Sequence, residues 1–259
     1  MKEKILRSNI FWIVVIIIIW ESVSRLGIIS PYVLPPFSKV VIQLVQELQD
    51  GSIVIQVINS FRIVLLGLII SLIISIIVLI LCDKFKNFEY FTRTICNILS
   101  PLPSVAILPI VIIWMGINDN AMLVLVVHSV VWPMIINLME KVQSIPTVYH
   151  ELLATLQIGS IKKVLCVYMM LILPGVIAAM RIGCARAWRS IISSEAIFGI
   201  IGTSGGLGMY IYVNRAYGNL TKVMVGIILI ILVSVIIDKI FVALEKLTIK
   251  KWRMSYERE

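Results

Sequence analysis

The chain has 259 residues, 60% of them hydrophobic and only 14% charged, with a mean hydropathy of +1.03. Soluble domains run roughly half apolar and a quarter charged, so this composition excludes an ordinary water-soluble globule and points to a polytopic membrane protein. A formal charge of +9 does not imply nucleic acid, because no basic stripe carries interleaved aromatics.

Crossing the hydrocarbon takes roughly 20 mostly apolar residues. That length predicts an all-α membrane protein with about six spans, at approximately 9–29, 58–82, 95–116, 121–139, 174–200 and 223–241, forming a single transmembrane domain over 1–259. The first, "NIFWIVVIIIIWESVSRLGII", follows Lys2, Lys4 and Arg7, the pattern of a signal peptide as well as of a retained span; Ser22-Val23-Ser24 is a poor cleavage site and favours the span. Next, "PPFSKVVIQLVQELQD" puts Val40, Val41, Leu44, Val45 and Leu48 on one helical face, as in a helix lying on the outer leaflet.

Span three is punctuated by Pro101, Pro103 and Pro109, each of which deletes a backbone donor. In a membrane such breaks are tolerated where neighbouring helices or a water-lined cavity satisfy the freed carbonyls, so they mark either a pathway-facing distortion or a packing kink. His128 in span four is expected to be a hydrogen-bonded packing residue, with a proton relay as the alternative. Trp114 and Trp132 sit near span ends like interfacial anchors, and Trp188 reads as packing. Span five carries Arg181, Arg186, Arg189 and Glu195 with no Arg–Glu pair at i+3 or i+4, so their partners lie on other helices, on a second copy or in water. Gly202, Gly205, Gly206 and Gly208 follow as a flexible external turn or the lining of an external gate.

Lys and Arg counts orient the spans. With the N-terminus inside, fifteen fall in cytoplasmic segments, four in external ones (Arg25, Lys39, Arg215 and Lys222) and four within spans. Both termini are therefore expected in the cytoplasm. Residues 140–173 then form the longest internal loop, between spans four and five. Within it "YHELLATLQIGSIKKVL" places Tyr149, Leu152, Leu153 and Leu156 at helical spacing ahead of Lys162 and Lys163. From the residues alone this helix either lies on the inner leaflet or inserts into a groove on a cytoplasmic partner.

From about residue 34 to 212 the chain resembles the membrane permeases of ATP-binding-cassette (ABC) importers, in the nitrate/sulfonate/taurine branch. "LPPFSKVV" resembles that family's external Leu-Pro-Pro-x-Ser segment, and "NSFRIVLLGLIISLIISIIVLILC" its second span. "PLPSVAILPIVIIWMGI" is similar to its proline-punctuated third span, "LPGVIAAMRIGCARAWRSIISSEAI" to its fifth, and "GTSGGLGMYI" to the Gly-Leu-Gly segment that follows. The loop occupies the place of the family's coupling loop, Glu-Ala-Ala, three residues, Gly, then Leu-Pro. Glu151 matches the glutamate; Leu152 and Leu153 replace two alanines, Gln157 stands where Gly is usual, and Gly159 comes two positions late. Met170 takes the place of the first proline, and Pro174 fits a second.

The resemblance implies a permease in the cell membrane with a cytoplasmic coupling helix between spans four and five. Glu151, Leu152, Leu153, Leu156 and Gly159 would meet the ATPase; Pro101, Pro103, Pro109, Arg186, Arg189 and Glu195 are pathway candidates. For the arginines the alternatives stay open: an interhelical or snorkelling pair, or a positive lining for an anion such as nitrate or a sulfonate. The helix at 35–50 is also a candidate contact for the substrate-delivering protein. The implied partners are a cytoplasmic ATPase dimer, a second permease copy, an extracytoplasmic solute-binding protein and lipid.

The chain has no G-x-x-x-x-G-K-[ST], so ATP and Mg belong to the partner and no cofactor is expected here. Cys82, Cys96, Cys166 and Cys184 form no C-x-x-C pair and read as packing, not as disulfide or metal chemistry. Two histidines without H-E-x-x-H, and no G-x-S-x-G, argue against a catalytic site and a membrane-embedded enzyme. No internal inverted repeat supports a secondary transporter. A pyrimidine or vitamin precursor is the alternative cargo.

Overall fold

Long apolar runs must satisfy every backbone N–H and C=O internally, which helices do. The computed structural model describes residues 9–198 and 205–256, and no strand occurs among them. In chain order the helices are α1 Asn9–Arg25, α2 Phe37–Gln49, α3 Ser52–Lys84, α4 Lys86–Leu99, α5 Ser104–Met115, α6 Asp119–Gln143, α7 Thr147–Thr155, α8 Ser160–Leu171, α9 Leu173–Phe198, α10 Leu207–Ala216 and α11 Leu220–Tyr256. Lys2, Lys4, Arg7, Arg258, Gly202 and the last two residues expected in span five lie outside the described residues.

Three helices are each long and apolar enough to cross a membrane: α3, α6 and Leu220–Thr248 of α11. Two bent pairs pass together, α4 with α5 at 99° and α8 with α9 at 83°. The described residues therefore offer three to five crossings by length and composition, against the six expected. With 17 residues, α1 spans about 25 Å, near the lower limit for a crossing.

The proline-punctuated span expected over 95–116 is two helices set at 99°. The chain breaks between Leu99 and Ser104, because Pro101 and Pro103 cannot donate into a continuing helix and Pro103 instead caps α5 with φ −62° and ψ 132°. The helix before the break, α4, buries only Thr92 and Cys96 and leaves Tyr90 and Phe91 exposed. Residues 160–171, expected within the loop, are helical with a π-helical centre at Lys163–Tyr168, and the chain bends at Ile172 before α9.

At the centre lies α6. Its apolar window is 56% buried, against 39% for α3 and 11% for α11, which places α6 inside and α11 at the margin. Small residues let its neighbours approach it. On α3 Gly67, Ser71 and Ser75 recur every four residues and are buried, the two hydroxyls satisfied by the carbonyls one turn back at 2.7 Å each. A Cβ at Gly67 would collide with Val126 of α6. On α9 the matching row is Ala179, Gly183 and Ala187, and a Cβ at Gly183 would sit 3.0 Å from Val130 and 3.1 Å from Met134.

One end of the bundle is tied together by polar contacts. Trp20 Nε1 donates to Pro35 O at 2.9 Å and Ser24 Oγ to Leu34 O at 2.7 Å, seating α1 on the approach to α2. Glu47, 4% exposed, pairs with Lys222 of α11 at 2.6 Å and accepts from Gln43 and Ser52. Burial opposes ionisation of Glu47, but Lys222 and these hydrogen bonds outweigh it and hold the carboxyl below its usual 4.5.

Two tests follow from this packing. Gly67→Leu should wedge α3 off α6 and cost roughly 1–3 kcal/mol; thermal unfolding in detergent is expected several degrees lower, and an unchanged midpoint contradicts the close approach. A carboxyl depressed in the folded state stabilises above its unfolded pKa and loses that contribution as pH falls through the folded value. Lys222→Met is therefore expected to cost about 1 kcal/mol near neutrality, after screening at the partly exposed lysine. It should also shrink the stability lost on acidification from pH 7; superimposable pH–stability curves contradict the pairing.

Candidate functional site

Two regions carry most of the sequence-predicted residues, one in the loop 144–172 and one midway along α9. The first is a wedge at the ends of α3 and α6. Ser144 closes α6, Ile145 is buried, and Pro146 in extended geometry (φ −55°, ψ 141°) starts α7 in a new direction. The inner face of α7 carries Leu153, 5% exposed, with Tyr149 and His150 half-buried; His150 Nδ1 and Tyr168 Oη are 2.9 Å apart. The outer face carries Val148, Leu152 and Leu156 at 68%, 52% and 59% exposure, one stripe at i, i+4 and i+8. Ile161 and Leu165 of α8 extend that apolar surface.

This divides the four apolar residues expected on a single face. Leu153 packs into its own chain, so of the adjacent leucines only Leu152 is available to a partner, and Val148, unmarked in the sequence, joins it. Glu151 is exposed with no partner for its carboxylate among the described residues. Gly159 precedes α8 with φ −61°, which any residue adopts, and nothing lies near its Cβ position.

The left-handed position belongs to Gln157, at φ 51°. Gln157 N–H donates to Ala154 O at 3.1 Å and Ile158 N–H to Leu153 O at 3.4 Å, the paired bonds of a Schellman helix end. A glycine there would carry no Cβ penalty, so glutamine holds a turn that costs it energy.

The wedge is fastened to the bundle through α8. Lys163 pairs with Asp83 at the end of α3 at 2.7 Å, and Val164 and Tyr168 are buried one helical turn apart. Gln143 of α6 donates to Glu89 of α4 at 2.9 Å, and Glu89 pairs with Arg93. Between these supports lies a cavity of about 330 Å³ lined by Leu79, Asp83, Met139, His150, Val164 and Tyr168. Asp83 was not singled out by sequence, and Lys163 only with Lys162 as a basic turn, because their pairing joins positions 80 residues apart with no periodic signal.

The second region is a cleft of about 330 Å³ that brings together Pro101, Pro103, Arg186 and Arg189 from the sequence-predicted set. Hydroxyls surround them, from Ser100, Ser104, Ser129, Ser190 and Ser193, and no carboxylate lines the cleft. Ser104 and Ser190 hydroxyls lie 2.9 Å apart and close the seam between α5 and α9. Neither Arg186 nor Arg189 has an acidic partner among the described residues; Arg189 Nε reaches only Ala185 O at 3.2 Å. Pro109 sits exposed within α5, off the cleft. Glu195 is also elsewhere, buried at the far end of α9 against Ser60 and Gly208.

The remaining residues resolve individually. Arg181 forms the interhelical pair that was one of its two readings, with Asp238 at 2.6 Å and Glu245 at 3.7 Å on α11. Trp188 is buried packing, at 2% exposure. His128 meets Trp132 edge-on at 6.1 Å, but its Nδ1 has no hydrogen-bond partner among the described residues. No group of three or more metal-ligating side chains occurs among the described residues.

The sequence model of the family described as "Binding-protein-dependent transport system inner membrane component" matches residues 67–250. The putative aliphatic sulfonates transport permease SsuC of Bacillus subtilis is 26% identical over 243 residues, 94% of this chain and 86% of that protein. The taurine transport system permease TauC of Escherichia coli is 23% identical over 231 residues, 86% of this chain and 82% of that one. Among solved structures, a chain of the MetNI methionine ABC transporter in an inward-facing conformation superposes with a TM-score of 0.56 at 19% identity, covering 73% of this chain and 90% of that one. That likeness is one of fold.

The wedge makes a stability test that separates its faces. Leu153→Ala should cost about 2–5 kcal/mol as a buried truncation, Leu152→Ala close to nothing in the isolated chain. Gln157→Gly should stabilise by roughly 1 kcal/mol. Thermal unfolding of the three variants checks all of this, and equal effects of Leu152→Ala and Leu153→Ala contradict the assigned faces.

Proposed function

The chain belongs to the binding-protein-dependent transport inner membrane component family, and we propose that it is the six-span pore subunit of an importer for a small anion, driven through α7 by a separate ATPase. It is an ABC importer permease of the sulfonate/taurine/nitrate/bicarbonate type, a multi-pass protein of the cell membrane, and not an enzyme.

The observation that carries the proposal is the outward stripe Val148–Leu152–Leu156 on a helix held from behind by Leu153 and by the Lys163–Asp83 pair. An apolar stripe on a short, firmly anchored helix is what an amphipathic helix-in-groove contact uses. Fifteen cytoplasmic Lys and Arg against four external ones support placing α7 and both termini in the cytoplasm. That orientation gives six spans when α1 and both bent pairs each cross once.

Two ATPase subunits gripping two permease copies would move α7 as a lever. The motion passes through α8 into α3 by the Lys163–Asp83 pair and into α9 by chain continuity. Nucleotide shifts the pore between inward-open and outward-open only through a differential affinity for the two arrangements. Specificity would rest largely on a separate extracytoplasmic solute-binding protein.

The cleft supports the anionic class of cargo. Two guanidiniums without acidic partners, ringed by serine hydroxyls, suit several oxygen acceptors on one small anion. An arginine at mid-bilayer costs about 2.5–3.5 kcal/mol on insertion scales, so lipid does not cover this face; water, solute or the second copy does.

Two measurements test the proposal. Leu152→Asp with Leu156→Asp should abolish co-purification of the ATPase while the permease still folds, since each buried leucine contributes about 1.5–3 kcal/mol to such a contact; undiminished co-purification contradicts the docking role. In proteoliposomes containing the whole complex, Arg186→Ala with Arg189→Ala should cut uptake of labelled taurine, ethanesulfonate or nitrate, whichever the wild type takes, at least tenfold. Unchanged uptake removes the anion reading.

A further inference from the structure

Glu195 was expected among the pathway residues, yet it is 4% exposed and absent from the cleft. It lies three residues before the end of α9, and no cation pairs with it among the described residues. A buried carboxylate without a counter-charge is costly unless donors compensate it. The donors here come from two elements.

Gly208 N–H donates to Glu195 Oε2 at 2.8 Å, and Ser60 Oγ of α3 lies 2.7 and 2.9 Å from the two carboxylate oxygens. The same Ser60 Oγ accepts from Leu207 N–H at 2.9 Å, while Asn59 Nδ2 donates to Gly205 O at 2.7 Å. The segment 205–208 is thereby laced to α3 and α9 together. Its glycines fit only because they lack side chains: a Cβ at Gly206 would strike the Glu195 carboxylate, and one at Gly208 the Ile192 carbonyl. Two of the glycines that read as a flexible external turn are thus required by close approach.

The same helix bears the cleft. Glu195 is six residues beyond Arg189, about 9 Å along α9, and the near end of α9 joins α8 and the wedge. Any tilt of α9 against α3 pulls the Glu195 carboxylate away from Ser60 and lifts the glycine segment off its seat. Seating the segment compensates the buried charge, and unseating it admits water to that charge, so the two arrangements are discrete.

We propose that Glu195 is a positioning residue, the latch that holds the 205–208 segment across α3 and α9 as an outer gate and releases it when the pore opens outward. This rests on the importer reading above. The latch does not depend on charge alone. Ser60 Oγ also lies 3.2 Å from Gln56 O, so its hydrogen can turn from the carboxylate to that carbonyl. A glutamine at 195 can then donate to Ser60 Oγ and still accept from Gly208 N–H. Alanine at 195 loses both bonds; alanine at 60 leaves Gly208 N–H on the carboxylate but removes the acceptor of Leu207 N–H and the tie between α3 and Glu195.

Hydrogen–deuterium exchange on the full chain in nanodiscs, with no ATPase present, tests the latch directly. The Leu207 and Gly208 amides are expected to be protected in the wild type and in Glu195→Gln, and to exchange at least tenfold faster in Glu195→Ala and Ser60→Ala, with α6 unchanged. In the complex reconstituted with its ATPase and binding protein, the two alanine variants should hydrolyse ATP several-fold faster without solute, and Glu195→Gln should not. A third arm needs no substitution: vanadate trapping of the wild-type complex should release protection at 207 and 208. Unchanged exchange in the alanine variants, a glutamine variant that behaves like alanine, faster exchange with solute-free hydrolysis unmoved, or protection that survives trapping each overturns the latch. A wild-type complex with no solute-stimulated hydrolysis would instead count against the importer reading, leaving the nanodisc exchange to judge the latch alone.

Discussion

The close approach of α3 and α9 to α6, and to each other, is the constraint on which the rest depends. Hydrocarbon offers no hydrophobic drive between helices, so van der Waals contact and small residues must hold them. Gly67 against Val126 and Gly183 against Val130 and Met134 bring the backbones together, and the buried Ser71 and Ser75 hydroxyls return to their own helix without widening the seam. With those three helices packed together, α3 and α9 have fixed ends. One pair of ends carries the wedge, fastened by Lys163 to Asp83, and the other meets at Glu195 and Ser60.

The intramembrane charges sort by how they are compensated. Arg181 is answered by Asp238 and Glu245 across a helix interface, which is structural. Glu195 is answered by a hydroxyl on α3 and an amide of the 205–208 segment. Arg186 and Arg189 have hydroxyls around them and no acid, so their charge is left for water, a solute or another subunit. Only the last arrangement leaves attraction to spare for a passing anion.

Much of this was legible from sequence. Hydropathy located α3, α6 and α11, and the amphipathic spacing located α7. The faces of α7 were not legible, because Leu152 and Leu153 are equally apolar and only the tertiary contact decides which one turns inward. The 99° and 83° bends escaped because a hydropathy window has no direction; Pro101 and Pro103 marked where one break falls but not its angle. The left-handed turn falls on Gln157, where the resemblance puts a glycine; glutamine itself carries no local signal for it, and Gly159 takes an ordinary φ. Arg186 and Arg189 were found as intramembrane charges, which local composition reveals. Ser60 was not, because its bond to Glu195 spans 135 positions.

Force transmission through the wedge is tested most directly by photocrosslinking in living cells with a benzophenone amino acid placed at 152 or at 153. Position 152 is expected to capture the cytoplasmic ATPase, and position 153 only its own chain. Capture of phospholipid alone from 152, or of the ATPase from 153 and not 152, would contradict the assignment of α7 as the handle.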